Sequence, residues 1–273
     1  MGTLARITAH RATDAAVQAA FARLRDLDRC LSNYRPESEL NRAAREAAQH
    51  PVRLSRDLAT VLAFAQRIAV ETQGAFDVSA GAVIALWRSH RQTKTLPTPT
   101  QIAEAQAVSG YQKVTLRDST LSLATSGLAF DLGGIAKGYA ATEALRVLKA
   151  HGAGQALVAI AGDIAAGGGQ WRIAIQHFGR TVETVKLSNA AVSTSGDTEQ
   201  FVEIDGARYS HIVDPRTGLG LVGAPAVSVI APTGLEADAL STAAVLSGAG
   251  VLKGHGHTRA IVTPRPAPAE GQA

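Results

Sequence analysis

The sequence predicts an α+β protein with mixed, mainly antiparallel sheets and flanking helices, on three observations. Helix-spaced and strand-like segments are interspersed irregularly rather than in strict βαβ alternation. Short apolar strands bounded by turn residues recur through the second half. The 273 residues, 46% hydrophobic and 18% charged, are enough to bury a sizeable core.

Taken in order, residues 13–31 place Val17, Phe21, Leu24 and Leu31 three, four and seven apart, which predicts an amphipathic helix. Ser55 reads as the N-cap of a second helix through Leu58, Leu62, Ala65 and Ile68, stopped by Gln73-Gly74. A shorter helix follows Pro97–Pro99. VTLRDSTLSLA, 114–124, alternates on both sides of a polar turn and predicts a hairpin. Gly134 to His151 predicts a helix with Gly152 as its C-terminal stop, followed by strands at 156–160 and 171–175. Residues 226–231 predict another strand, and Thr233 with Glu236 has capping-box spacing for a helix over 234–247. A last strand is expected at 260–263. No repeat or long linker divides the chain, so residues 1–263 are expected to form one domain, or two closely packed lobes, with 264–273 as a disordered Pro- and Ala-rich tail.

Aromatic residues are only 4%, and the net charge of +4 is scattered rather than gathered into a basic run. That argues against a nucleic-acid surface and suits an anionic small molecule. The single cysteine, Cys30, cannot form an internal disulfide and reads as a buried small residue on a helix. No stretch approaches the roughly 18 apolar residues of a membrane span, and the N-terminus has no apolar signal region. The sequence as it stands is therefore expected to be cytoplasmic.

Five segments are too polar or glycine-rich for their surroundings: 31–42, 74–87, 130–140, 193–220 and 236–243. In the third, DLGGIAKGY, a glycine pair opens a helix with Lys137 in its first turn, where a cation opposes the helix dipole. Either Lys137 is part of a helix cap, or it and the nearby backbone N–H groups await a phosphate. In the fifth, Asp238 and Thr242 are i and i+4 and share a helix face. They either hold a hard cation such as Mg²⁺ or, in the case of Asp238, neutralise the helix start.

Together and in this order, an N-terminal MGT, S-x-Y-x(3)-S-x(2)-N, GAFD, DLGGIAKGY, GD, TSGD, HIVDPRTG and AD-x-x-x-T resemble the FAD:protein FMN transferase family, the ApbE-like flavin transferases. The likeness runs from Met1 to about Gly250. It implies the flavin transferase architecture and a Mg²⁺-dependent enzyme that takes FAD as substrate and cleaves its pyrophosphate. FMN is then joined by a phosphoester to a Thr or Ser of an acceptor protein, and AMP leaves. By matched position, the resemblance implies that Met1, Tyr34, Ser38, Ala75, Phe76, Asp77, Asp131, Lys137 and Ile212 contact FAD. Gly134 through its carbonyl, Asp238, Thr242 and the adjacent Ser241 would hold the metal, and His211 would be the base for the acceptor hydroxyl. Asp163, Asp197 and Asp214 are expected to orient loops or neighbouring residues. As an exposed metal ligand, Asp238 is expected to be replaceable by Ala with little loss of stability.

Two departures stand out. Ala161-Gly162-Asp163 replaces the family's usual Gly-Gly-Asp, at some loss of backbone freedom. Gly220 stands where a Pro often follows DPRTG. Exported members of the family begin with a lipoprotein signal, so a periplasmic, membrane-anchored location applies if an N-terminal segment has been removed. Two other readings fit the same residues: an FAD pyrophosphatase releasing FMN and AMP, and a non-catalytic FAD-binding protein.

Overall fold

A computed structural model describes residues 3–197 and 200–266. The expected contact from Met1 and most of the expected tail, residues 267–273, lie outside them. In chain order, β1 (Ala5–His10) leads to α1 (Asp14–Leu31), α2 (Glu39–Glu46), β2 (Val52–Arg53) and α3 (Arg56–Glu71). Then come α4 (Gly81–Thr93), α5 (Pro99–Ala107), the hairpin β3 (Val114–Arg117) and β4 (Thr120–Leu123), and α6 (Ala136–Ala150). The remainder is mainly strand: β5 (Gln155–Ile160), β6 (Asp163–Gly167), β7 (Trp171–His177), β8 (Arg180–Leu187), β9 (Ala190–Ser195), β10 (Phe201–Ile204), β11 (Ala207–Asp214), β12 (Leu219–Val222) and β13 (Ala226–Ala231). α7 (Gly234–Ser247) and β14 (Arg259–Thr263) complete it.

Four capped helices fall where the sequence predicts them. Thr13, Ser55, Thr98 and Thr233 each accept a backbone N–H at the start of α1, α3, α5 and α7. Glu236 accepts the Thr233 hydroxyl, where a full capping box would have it reach the Thr233 backbone. Two helices have no counterpart in the sequence reading. α2 is short and polar outside Leu40, Ala43 and Ala44. α4 begins without a capping side chain, at Gly81, whose N–H bonds the Ala129 carbonyl.

The central sheet has the order β1-β5-β6-β9-β13-β14, and every strand pairing among the described residues is antiparallel. Strand alternation separates its two faces. Ala156, Val158, Ile160, Val227 and Val229 join the main core with α1, α3, α6 and α7. On the opposite face, Leu157, Ile164, Val192 and Ile230 pack with Ile175, Val185 and Leu187 of the β7–β8 hairpin. A separate cluster joins α4 to the β10-β11-β12 sheet through Val83, Trp87, Val202, Ile204 and Val213.

Two arrangements fix the elements that carry the polar residues. Arg23 of α1 bonds Asp57 of α3 and Glu143 of α6, while the Tyr139 hydroxyl donates to Asp57 at 2.7 Å. Trp87 donates its indole N–H to the Ser210 carbonyl at 3.0 Å, locking α4 onto β11. Gly220 makes room for that lock: a Cβ there would lie 2.2 Å from the Ser210 oxygen and 2.7 Å from the Trp87 ring. Cys30 is half-buried at the end of α1, and burial pushes its thiol up to about 12, so it is not a thiolate near neutral pH.

Candidate active site

Helices α6 and α7 bring the DLGGIAKGY and AD-x-x-x-T segments together. Asp238 reaches across from α7, and its Oδ2 accepts the Gly138 N–H at 3.0 Å near the start of α6. Lys137 lies beside it. Its Nζ donates to the Gly133 carbonyl at 2.6 Å and lies 3.2 Å from Asp163 Oδ2 and 3.4 Å from Asp238 Oδ2. Asp163 enters from the start of β6 and is further held by the Ser193 hydroxyl of β9.

The hydroxyl groups continue from there. Ser193 and Ser195 lie 3.2 and 2.8 Å from Ser241, and Ser195 lies 2.9 Å from Thr242. Gly134 abuts this group, since a Cβ there would be 2.9 Å from Thr242 Oγ1. Thus Gly134, Lys137, Asp238, Ser241 and Thr242 meet at one place, joined by Asp163, Ser193 and Ser195.

The electrostatics refine one expectation and correct another. Lys137 is already paired within the protein: burial pulls its pKa down, but attraction to Asp238 and Asp163 outweighs it and holds the ammonium charged. One ammonium faces two carboxylates, so this cluster carries one surplus negative charge when all three are ionised. Asp238 is also not an exposed ligand, because its residue is only 2% exposed. Burial above all, and then the Asp163 charge, raise its pKa; Lys137 opposes them. A buried carboxylate that caps one helix from another is part of the fold as well as the site.

The donor set fits a hard divalent cation. The cluster offers carboxylate, hydroxyl and carbonyl oxygens and a surplus negative charge, the preference of Mg²⁺ rather than of a thiophilic metal. Among the described residues no group of three His, Cys, Asp or Glu residues could hold a metal, so hydroxyl and carbonyl oxygens would have to complete the shell.

A second cluster lies around Asp131. Its Oδ2 accepts from Asn33 at 2.7 Å and Arg88 at 2.8 Å, and its Oδ1 accepts the Gly133 N–H at 2.8 Å. Tyr34 is 64% exposed, with its ring 4.8 Å from the Arg88 guanidinium carbon. Asn41 donates to the Asn33 and Arg35 carbonyls and folds the 33–35 loop. Arg88 is absent from the sequence-derived set, because nothing local marks it on a helix that the sequence did not reveal.

The other expected FAD contacts are placed differently. Ser38 is fully buried and caps α2. Ala75 and Phe76 are buried, and Asp77 accepts from Ser79 and from the Tyr111 N–H, at 2.8 Å for each backbone donor. These side chains shape the loop: Asp131 N–H bonds the Val78 carbonyl, seating GAFD beneath DLGG. Ile212 also packs into the core. Asp197 is held by Arg265 and Arg208, and Asp214 by Arg216 in the DPRTG turn.

His211 sits where β11 changes register between Tyr209 and Val213, an irregularity that re-aims a side chain. Its Nδ1 lies 3.0 Å from the Gln200 carbonyl. A carbonyl can only accept, so Nδ1 carries the hydrogen and Nε2 keeps its lone pair. Burial chiefly lowers the pKa of the ring, assisted by the charges of Arg91 and Lys137, which keeps it neutral at pH 7.

A model of the ApbE family matches residues 1–256. The chain belongs to the ApbE family. It is 36% identical over 237 residues to the FAD:protein FMN transferase of Haemophilus influenzae, covering 80% of this chain and 68% of that protein. The corresponding Treponema pallidum protein is 32% identical over 278 residues, covering 91% and 77%. Among solved structures, the flavin transferase ApbE from Vibrio cholerae superposes with a TM-score of 0.85 at 29% identity, covering 97% of this chain and 91% of that one. The apo Pseudomonas stutzeri flavinyl transferase ApbE gives 0.82 at 28%, covering 97% and 92%. These ApbE structures bear out the expected α+β flavin transferase architecture. No helix among the described residues is long and apolar enough to cross a membrane.

Proposed function

We propose that this ApbE-family chain is an FAD:protein FMN transferase, with residues 1–263 acting as one catalytic domain. It cleaves the FAD pyrophosphate in the presence of Mg²⁺ and joins FMN to a Thr or Ser hydroxyl of an acceptor protein. The observation that carries the reading is the pair of buried carboxylates, Asp163 and Asp238, set against the single ammonium of Lys137 beside the Ser195, Ser241 and Thr242 hydroxyls. A site for flavin storage alone has no need of it.

Asp238, Thr242 and the Gly134 carbonyl, with Ser241 adjacent, would hold the cation. When bound, Mg²⁺ supplies Lewis-acid stabilisation of the charge that develops on phosphoryl oxygens. Lys137 is held by Asp163 beside the reacting phosphates and contributes its charge there. The acceptor hydroxyl oxygen attacks the FMN-side phosphorus, the bond to the bridging oxygen breaks, and that oxygen leaves on AMP. His211 Nε2 takes the hydroxyl proton, while the Nδ1 bond to Gln200 fixes the tautomer needed for this. Tyr34 offers an exposed ring to the dinucleotide, and Asp131 sets the position of Arg88 beneath it. Ala75, Phe76, Asp77, Ser38 and Ile212 contribute loop shape and backbone groups.

The test is to incubate the protein with FAD and Mg²⁺, with and without a flavin-acceptor domain, and follow AMP, free FMN and acceptor mass. One FMN gained per acceptor, matched by AMP, supports the transferase. AMP and free FMN regardless of acceptor identify a pyrophosphatase, and intact bound FAD identifies a flavin carrier.

A further inference from the structure

Among the described residues, Arg91 is a cation beside this site that has no counter-charge. It lies on α4 one turn beyond Arg88 and Trp87, so the two arginines share a helix face. Arg88 is matched by Asp131, and Lys137 by Asp163 and Asp238. No carboxylate pairs with Arg91 among the described residues, and its Nε is buried without a hydrogen-bond partner. Burial lowers the pKa of its guanidinium and the neighbouring Arg88 charge lowers it further. A half-buried, unpaired guanidinium is costly in the protein alone, and an anionic ligand that docks against it removes the cost.

The surroundings identify the ligand chemistry. The Trp87 anchor to Ser210 brings this part of α4 against the β11 bulge, and His211 is close enough for the Arg91 charge to act on it. On the other side Arg88 presents the exposed ring of Tyr34. An exposed ring against Arg88 and an unmatched guanidinium one turn further along the same helix face, within electrostatic reach of His211, suit a nucleotide better than an acidic peptide. We propose that Arg91 binds a pyrophosphate oxygen of the dinucleotide substrate, donating from its guanidinium on the His211 side of the site. This rests on the transferase reading for the identity of the dinucleotide. It adds a cationic contact from α4 to those of the α6–α7 cluster, and Lys137 is too fully matched by carboxylates to provide that contact alone.

The experiment measures FAD binding to the full chain by flavin fluorescence, in EDTA and at two salt concentrations, for wild type, Arg91→Met and Arg91→Lys. Thermal melts run alongside. Arg91→Met is expected to weaken FAD binding about tenfold or more and to flatten its salt dependence, with a melting temperature at or above wild type. Arg91→Lys should recover part of both. Affinity within twofold of wild type in Arg91→Met overturns the proposal, as does weakened binding with the wild-type salt dependence, which marks a structural role. A raised KM for acceptor protein at unchanged FAD affinity also overturns it, and points to an acidic acceptor group. The two readings fail separately. If wild type binds FAD but does not transfer FMN, and Arg91→Met binds it weakly with a flattened salt dependence, the transferase is lost while the Arg91 contact stands. If wild type transfers and Arg91→Met binds FAD normally, only the Arg91 contact is lost.

Discussion

Gly138 of α6 and Gly234 of α7 meet backbone to backbone, so that a Cβ built on either would lie 2.0 Å from the carbonyl oxygen of the other. This approach decides where Asp238 stands. One turn along α7 from Gly234, it comes under the start of α6 and accepts the Gly138 N–H. Packing, capping and the charge cluster are therefore one arrangement.

Replacing Gly138 with Ala forces backbone against backbone, which no side-chain rotation relieves. A loss of about 1–3 kcal/mol is expected from overpacking. Catalysis should fall further than stability explains, because parting the helices moves Asp238 away from Lys137. Urea unfolding and flavin transfer, measured on the same preparation, check both. An Ala variant with wild-type activity shows that the crossing does not position the site.

Asp238→Asn separates the charge of this residue from its shape. The amide oxygen can still accept the Gly138 N–H, while one of two buried carboxylates disappears. For wild type in EDTA the raised carboxyl pKa fixes the sign: the folded state holds its proton more tightly than the unfolded chain. Stability therefore falls as pH rises from the unfolded carboxyl value of about 4 toward the raised one. In EDTA at neutral pH the Asn variant should melt at or above wild type. With Mg²⁺ at about 100 times its Kd, wild type gains roughly 2.7 kcal/mol and the variant little. Equal stabilisation of both by Mg²⁺ removes Asp238 from the metal site.

His211→Asn should cut FMN transfer by about 10²–10⁴-fold, the usual contribution of a positioned base, while FAD affinity changes little. The pH profile carries the same information. Burial lowers the imidazole pKa, so the ring remains a competent base down to below its ordinary value of 6.5. Transfer by wild type should be flat near pH 7 and decline only on the acid side of 6.5, and the variant should lack that limb. A parallel loss of FAD affinity and transfer makes His211 a binding residue.

What was legible in the sequence follows from how local each cause is. α1 and α3 carry helical spacing, α5 and α7 carry proline and capping signals, all four with a Ser or Thr at the start, and the hairpin at 114–124 turns at Asp118 and Ser119, both in the left-handed region. α4 begins because Gly81 rests on Ala129, a contact 48 residues distant that leaves no local signal. β6 and β9 carry little strand signal, since both are short and rich in Ala and in the Asp and Ser residues that face the site. The site residues on α6 and α7 could be named from motif likeness, yet the pairing of Lys137 with Asp163 appears only once β6 lies beside α6. Arg88 and Arg91 lie on a helix whose start the sequence does not show.

Ala161 offers a test of a single backbone position. It precedes Asp163 at the turn between β5 and β6, with φ at +51°, a conformation that side-chain-bearing residues adopt at a cost. Glycine at this position relieves the strain but enlarges the freedom of the unfolded chain, and the two effects oppose each other. Left-handed strain costs about 1–2 kcal/mol and the added chain entropy of glycine about 0.4–1 kcal/mol, so the relief is the larger. Ala161→Gly is therefore expected to stabilise the protein by up to about 1 kcal/mol in urea unfolding. Transfer activity should be unchanged, because the Asp163 carboxylate remains held by Lys137 and Ser193. A destabilised Gly variant means that the turn is not strained at Ala161. A stabilised variant with reduced transfer means that the strain itself helps to aim Asp163 at Lys137.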